Sequence, residues 1–535
     1  MKYVLIVVMK NQIYENVDVK YSQPEFLHRN LLQNPLYPYQ WGENNTGQYC
    51  DTSGFDIRIE DAWNITKGDS NIIVAVFDLG VDTNHEDLRP NLVQGKNVLT
   101  GANNGQEGHF DYHGTACAGI IAAADNDIGG VGVAPLCHIL PIRMSSYRYA
   151  SDLHIINAFK YIADSSEAAI ASCSWLPNWD SPTIDNALLH FVRNGRNGKG
   201  GLVVFSVGNQ NESGNLLSDS CKLYCITVGA ICPDGTRKEY TSCDGDYSWG
   251  SNYGECLCVM APGTKVPTTM SVTNASNYTY AGDNYILDFD GTSAACPHVA
   301  GVAALVLLAN PNLSGRKVKE IIERTCTKVR NYLYDYDSIA PHGTWDYQMG
   351  YGLVNAYQAV LMAQGCKDYP YCTIDTIRGN ITWNAPITVG ETLVIDSLAI
   401  LTVTDTVAFY SEARIIVRPG GKLIVNGGTL TNVCDGEMWE GVIVEGDSTQ
   451  RQQPNKQGAV YLTNATIENA FNAVSTRGAE NNDAQWTKTG GIVQATNTLG
   501  SYDITLDNCA STPTPHTPPS RWNPTVPSVK SPSMT

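Results

Sequence analysis

Asp290-Gly291-Thr292-Ser293-Ala294-Ala295-Cys296-Pro297-His298-Val299-Ala300-Gly301 opens an apolar run that continues to Ala309. Ala294 to Ala309 is apolar on nearly every face, which predicts a helix buried all round. Pro297 falls in its first turn, where a missing N–H costs little, and Pro311 ends it. Ser293 is thereby placed at the N-terminus of a buried helix. Unpaired amides and the positive end of the helix dipole favour a developing negative charge there. A serine at a helix start is far more often an N-cap than a nucleophile, so the serine alone decides nothing.

Two further stretches carry chemistry. Asn71 to Asp78 is a near-continuous apolar run, as expected for a central parallel strand covered on both faces, and it ends in an acid. Open α/β sheets place their sites at that carboxyl edge, although a lone acid there is commonly a turn residue. Asp111-Tyr112-His113-Gly114-Thr115-Ala116-Cys117-Ala118-Gly119 puts His113 at the start of a second small-residue helix. Strand and helix then alternate, which predicts an α/β fold: a doubly wound, mostly parallel sheet with helices on both faces. Strands are expected at Cys137–Met144, Ala168–Trp175, Gly201–Gly208 and Cys225–Ala230, and helices at Ser151–Asp164, about Ile184–Asn194 and Leu313–Val329. Ala261-Pro262-Gly263 reads as a turn, and Thr344–Ala363 as a turn leading into a closing helix. Asn209 stands at a strand end, where a turn asparagine is the ordinary reading.

The chain has 535 residues and a net charge of −18. Its length predicts more than one domain. The acidity argues against nucleic acid or anionic membranes as partners. Val299 to Ala309 is too short to span a bilayer, so no membrane span is expected. The 16 cysteines show no repeated CxxC at zinc spacing, and an oxidising compartment with some disulfides is the expected setting. Residues 1–9 lack the h-region length and cleavage site of a signal peptide.

Composition changes near Gly365. Leu393–Ile395 and Ile415–Val417 are short β-rich triplets 22 residues apart, as are Leu401–Val403 and Leu423–Val425. Equal spacing predicts stacked rungs of a short β-solenoid over 380–508, with a small β-sandwich as the alternative. Residues 365–379 read as a linker, and the Pro/Ser/Thr-rich stretch 509–535 as a disordered tail.

Asp78, His113 and Ser293 occur in one of the chain orders known for a hydrolytic triad on an α/β frame. A serine hydroxyl needs a base, a neutral imidazole is one near pH 7, and a buried carboxylate fixes the imidazole tautomer. Asn209 could donate its amide to the oxyanion beside the Ser293 N–H.

VAVFDLGVDTNHEDL, HGTACAGIIAA, GVGVAP, VVFSVGN, SNYG, APG and GTSAACPHVAG resemble, in order, the signature blocks of the subtilisin-like serine proteases over about residues 35–363. The resemblance implies a serine endopeptidase acting on proteins or peptides, with Asp78, His113 and Ser293 as triad and Asn209 as oxyanion donor. It implies substrate-binding segments at Ser174 and Gly208, a peptidase domain over 33–364, and a zymogen whose prodomain remnant is 1–32, processed near residues 28–36. It also implies a structural Ca²⁺ held by the side chains of Asp87 and Asn126 and the carbonyls of Ala124, Ile128 and Gly130. From the residues alone, the loop 125–130 is as well read as a polar turn. The family completes this site with a glutamine from the N-terminal arm; Gln40 is left unassigned.

Three features depart from or qualify the pattern. Ser174-Trp175-Leu176 stands where the family has Ser-x-Gly, removing a glycine from the substrate-pairing segment. Cys117 lies one helical turn after His113 on the same face, so thiol reagents should impair activity. HGTACAG is similar to the proprotein-processing branch, but dibasic specificity is not predicted. The expected whole is an extracellular or cell-surface endopeptidase whose solenoid binds a surface, glycan or partner. Its rivals are an inactive surface or adhesion protein with a vestigial protease domain, and an adhesin processed at 365–380.

Overall fold

Val74 and Val76 of β1 (Ile73–Asp78) are buried on one face of the strand, Ala75 and Phe77 on the other. A strand covered twice belongs inside a parallel sheet. The computed structural model, which describes residues 34–108, 111–146, 150–176, 181–214, 224–271, 284–337, 340–367, 369–435, 437–446 and 453–475 with strand backbones at 492–496, 499–500 and 504–505, places it there. The other strands are β2 (Lys96–Asn97), β3 (His138–Arg143), β4 (Ile170–Cys173), β5 (Leu202–Ser206), β6 (Cys225–Ile231) and β7 (Val259–Pro262). Their order is β2-β3-β1-β4-β5-β6-β7, every neighbouring pair parallel. The expected prodomain remnant, most of its processing point, Pro177, Cys221 and the tail 509–535 lie outside the described residues.

Helices Asp152–Asp164 and Pro182–Asn194 cover one face, where Phe77 and Phe159 meet with ring centroids 5.1 Å apart. Ser151 caps the first of them by accepting the His154 N–H. Helices His113–Ala122, Thr292–Ala309 and Ala356–Gln364 cover the other. Thr292–Ala309 is the one helix among the described residues long and apolar enough to cross a membrane, and 83% of that span is buried inside the protein. It is the core helix that its all-round apolarity predicts.

Three local expectations are corrected. The serine helix starts at Thr292, so Pro297 lies within it rather than in its first turn. Pro297 cannot bond the carbonyl four residues back, that of Ser293. This carbonyl accepts instead from Ser174 Oγ at 2.9 Å and from Cys117 Sγ at 3.6 Å. Ala261 and Pro262 close β7 rather than forming a turn; β7 is an edge strand, where proline is tolerated. The helix expected over Leu313–Val329 spans only Gly315–Arg324, because the Thr325 hydroxyl bonds the Ile321 carbonyl as the chain leaves it.

Beyond the closing helix the chain forms a β-solenoid of three parallel sheets. Leu393 pairs with Ile415 and Leu401 with Leu423, so each 22-residue interval is one rung. Val442 and Val460 continue these ladders. Leu393, Ile395, Leu401, Val403, Leu423 and Val425 point inward and are buried. The sandwich alternative requires antiparallel sheets, whereas every rung pairing is parallel. Cys366 bridges to Cys434 of the solenoid, not to its sequence neighbour Cys372, and Cys50 bridges to Cys243.

Candidate active site

Strand order sets the site. β1, β4 and β5 are neighbours, so their carboxyl ends bring Asp78, Ser174 and the Gly208-Asn209 turn to one edge of the sheet. The N-termini of the His113 and Ser293 helices reach the same edge.

His113 Nδ1 lies 2.8 Å from Asp78 Oδ2, while Asp78 Oδ1 accepts the Leu79 N–H at 2.8 Å. The helix can come this close because Gly114 has no side chain: a Cβ there would stand 2.1 Å from the Gly80 carbonyl oxygen and 2.9 Å from Asp78 Cβ. Phe289 packs edge-on against the imidazole, centroids 5.6 Å apart. The Asp78 side chain is 4% exposed and that of His113 31%. Burial works against a charged ring at His113, but the adjoining Asp78 carboxylate, with the Cys117 sulfur, outweighs it and raises the imidazole pKa well above its usual value. Solvent at the exposed edge of the ring damps that effect. Cys117 Sγ is 3.9 Å from His113 Nδ1, which is the helical-turn neighbourhood that the spacing predicts.

Ser293 Oγ donates to the Ser174 carbonyl at 3.1 Å, and no hydrogen bond joins it to His113. Ser174 Oγ returns a bond to the Ser293 carbonyl, so the two serines are tied twice. The aspartate and histidine are therefore hydrogen-bonded, and the serine hydroxyl beside them is turned to Ser174.

Asn209 Oδ1 accepts the Thr292 N–H at 2.9 Å and the Thr292 hydroxyl at 2.8 Å. A backbone N–H can only donate, so the oxygen must face Thr292 and the Asn209 NH₂ must face away. Gly291 has φ +115°, and a Cβ on it would stand 3.1 Å from Asn209 Nδ2 and 3.4 Å from the Ser293 N. The missing side chain thus leaves a space bounded by two N–H donors. Trp175, in the segment that departs from Ser-x-Gly, donates its indole N–H to the Phe77 carbonyl and packs edge-on against Phe205. Gly208 donates its N–H to Thr292 Oγ1.

On the far side of the His113 helix the expected cation ligands converge. The carbonyls of Ala124, Ile128 and Gly130 surround one atom, Asn34 Nδ2, at 3.3, 2.8 and 2.8 Å. Asn34 Oδ1 is buried there without a hydrogen-bond partner, and both carboxylate oxygens of Asp87 are buried beside Asn126 and Tyr285. Burial, with the neighbouring Glu86 charge, pushes the Asp87 carboxyl up to about 7. A dry carboxylate, an amide oxygen and three carbonyls form the donor set of a hard divalent cation. Asn126 Oδ1 accepts the Ile128 N–H. The Gln40 amide, next to Gly130, bonds twice with Val131. Asn34 is the arm residue whose side chain meets these carbonyls; it lies about ninety residues from them, and no local pattern marks it.

A model of the subtilase family matches residues 69–352. The calcium-dependent protease of Trichormus variabilis is 33% identical over 69% of this chain and 58% of its own length. Neuroendocrine convertase 2 of Caenorhabditis elegans is 31% identical over 66% of this chain and 59% of its own. The chain thus spans under two thirds of the curated relatives it matches. Among solved structures, the serine protease of Aeromonas sobria, in complex with its chaperone, superposes with a TM-score of 0.53 at 22% identity, over 63% of this chain and 68% of that one; it shares the fold. The family model covers more than half of the chain, together with the sheet and the sheet edge described above, and the chain belongs to the subtilase family.

Proposed function

We propose that this protein is a secreted serine endopeptidase acting at the sheet edge. Ser293 is the nucleophile, His113 the general base and Asp78 its orienting carboxylate. The Asn209 amide and the Ser293 N–H take up the oxyanion. The observation that carries this reading is the orientation of Asn209: its oxygen is held by Thr292, so its NH₂ faces the space left by Gly291.

The chemistry follows from the contacts. Asp78 occupies His113 Nδ1 and fixes the proton there, which leaves Nε2 as the basic nitrogen. The Ser293 hydroxyl turns from the Ser174 carbonyl to Nε2 when substrate binds; such bonds commonly tighten only in the substrate complex. Nε2 takes the proton as Oγ attacks the scissile carbonyl. The imidazolium formed is stabilised by Asp78, then gives the proton to the leaving amine. Water repeats the sequence on the acyl-enzyme. Ser174 and Gly208 are the proposed substrate-binding positions.

Asp87, Asn126 and Asn34, with the carbonyls of Ala124, Ile128 and Gly130, are the proposed Ca²⁺ ligands. A bound cation would neutralise the buried Asp87 carboxylate and tie the N-terminal arm to the 124–130 loop. The name of the Trichormus relative agrees with this assignment. The domain bounds proposed are 33–364 for the peptidase and 380–508 for the solenoid, which we assign to a surface, glycan or protein ligand.

A second reading, a vestigial peptidase, draws on the Ser293 hydroxyl bonding Ser174 rather than His113. A fluorophosphonate probe separates the two. Labelling of the wild type that is abolished in Ser293→Ala supports the peptidase; no labelling of folded, Ca²⁺-supplied protein refutes it.

A further inference from the structure

The SNYG segment (Ser251–Gly254) touches none of the reacting groups, yet its asparagine is bound into the loop that carries Asn209. The chain leaves β5 at Ser206 and bends away from the sheet, with Gly208 at φ +96°. Backbone groups of such a loop lose their sheet partners and must find others. Asn252 supplies partners for four of them, more than any other residue, and Gly250 pairs with Asn209 and Asn211 beside it. Its Oδ1 accepts the N–H groups of Gln210 and Glu212, both at 3.0 Å. Its Nδ2 donates to the Val207 carbonyl at 2.9 Å and to Gln210 Oε1 at 2.8 Å. Its own backbone N–H donates to the Gly208 carbonyl at 2.9 Å.

All four hydrogen-bonding positions of the Asn252 amide are filled, and the residue is 6% exposed. The five bonds fall on both sides of Asn209: Val207 and Gly208 before it, Gln210 and Glu212 after it. Only a primary amide of this length offers two acceptor sites and two donor hydrogens at once. An aspartate of the same shape would lose both donations and set its charge against the Val207 carbonyl. The mounting of Asn252 is firm as well. Arg237, buried at 4% exposed, donates to the Ser251 carbonyl at 2.6 Å and to Asn211 Oδ1 at 2.7 Å.

We infer that Asn252 is the positioning residue of the oxyanion donor, holding the 207–212 loop so that Thr292 and the reacting carbonyl meet opposite ends of the Asn209 amide. This rests on the peptidase reading above. Transition-state donors must be held rigidly before charge develops, and removing one costs about 10²–10³ in kcat. Loosening its mount should cost part of that.

The test is a double-mutant cycle on the full chain, with a peptide substrate found by cleavage profiling. Asn209→Ala and Asn252→Asp are measured singly and together, and Asn252→Ser serves if the aspartate variant does not fold. Asn252→Asp should lower kcat by about 10–100-fold, short of the full cost of a lost donor, with KM changed far less. In the Asn209→Ala background the same substitution should lower kcat less than about threefold, because the group it positions is gone. Equal losses in both backgrounds, or no loss in the first, overturn the inference. The melting midpoint of each variant, made in the Ser293→Ala background to prevent self-cleavage, separates misplacement from unfolding. A wild type without activity sinks the peptidase reading instead, and is recognised before any Asn252 variant is made.

Discussion

Lys317 Nζ lies 2.6 and 2.7 Å from the two carboxylate oxygens of Glu437, joining the helix that follows the serine helix to the solenoid through a buried ion pair. The Lys317 side chain is wholly enclosed, with Glu320 at 3.1 Å and the Tyr410 ring beneath it. The Tyr410 hydroxyl in turn accepts the Ser314 N–H at the start of this helix. Peptidase and solenoid are therefore joined by an ion pair buried between them.

Removing Lys317 leaves Glu437 uncompensated in a dry site, at a cost of about 3–5 kcal/mol, while Glu320 keeps Arg324 at 2.8 Å. Lys317→Ala should therefore lower stability by that order in chemical denaturation. The double variant Lys317→Met, Glu437→Leu should recover most of the loss, since replacing both charges with apolar groups is often neutral or better. Equal destabilisation by the single and double variants would show that the pair is not the clamp.

This helix also shows where sequence reading runs out. Its charged face, Lys317, Lys319, Glu320 and Glu323, has the pattern of a solvated surface, yet all four are buried. Nothing local announces that Glu437 and Ser411 of the solenoid will meet Lys317 and Glu320, or that Cys258 and His342 will meet Lys319 and Glu323. Asn34 at the cation site and the twofold tie between Ser174 and Ser293 are equally non-local. By contrast, Asp78, His113, Asn209 and the serine helix were legible. Each stands at the end of an apolar run whose period and length declare a buried strand or helix, and parallel topology sends those ends to one edge.

The Asp78–His113 pair makes two opposed pH predictions. The carboxylate holds the imidazole pKa well above its usual value, so the base becomes neutral only at higher pH. The acid limb of kcat/KM should lie above about 6.5, the ordinary histidine value. For stability the sign is reversed. The folded-state pKa exceeds the unfolded one, so the pair's contribution is complete below about 6.5 and is lost as pH rises through the folded value. Asp78→Asn should lower kcat by about 10⁴ through the wrong tautomer and remove this pH dependence of stability, both read from pH series on the same protein. An unchanged acid limb in Asp78→Asn would assign the limb to another group.

Gly291 provides a test of the oxyanion space that leaves every polar group in place. Alanine there puts a methyl 3.1 Å from Asn209 Nδ2 and 3.4 Å from the Ser293 N, at a φ of +115° that side chains rarely adopt. Gly291→Ala should lose about 10²–10³ in kcat, as when a donor is removed, while a fluorophosphonate, whose phosphoryl oxygen needs the same space, should label more slowly. Turnover within threefold of wild type would place the oxyanion elsewhere.

Cation removal should act on stability before chemistry. Asp87 carries a buried carboxylate, and a ligand that binds only the folded state stabilises it by mass action. EDTA should therefore lower the melting midpoint of the Ser293→Ala protein, with recovery on adding Ca²⁺. Asp87→Asn should melt at the same temperature with or without Ca²⁺. A Ca²⁺ response that survives in Asp87→Asn would move the site to other residues.

Cys117 links His113 to the Ser293 helix through one sulfur atom, 3.9 Å from His113 Nδ1 and 3.6 Å from the Ser293 carbonyl. It is fully buried, so only a small thiophilic reagent should reach it, and only during local opening. A mercurial bound there would crowd the imidazole on its Asp78 side and displace the Ser293 carbonyl. Stoichiometric mercury should therefore abolish turnover, and Cys117→Ser, which keeps the shape with a smaller atom, should retain activity and resist the reagent. The other buried cysteines test whether the effect is local. Cys296 lies on the serine helix with its thiol bonded to the Val204 carbonyl, and Cys173 ends β4. If Cys117→Ser is inhibited as strongly as wild type, the mercury acts through another thiol, and the placement of Cys117 beside the imidazole has no bearing on the sensitivity of the site.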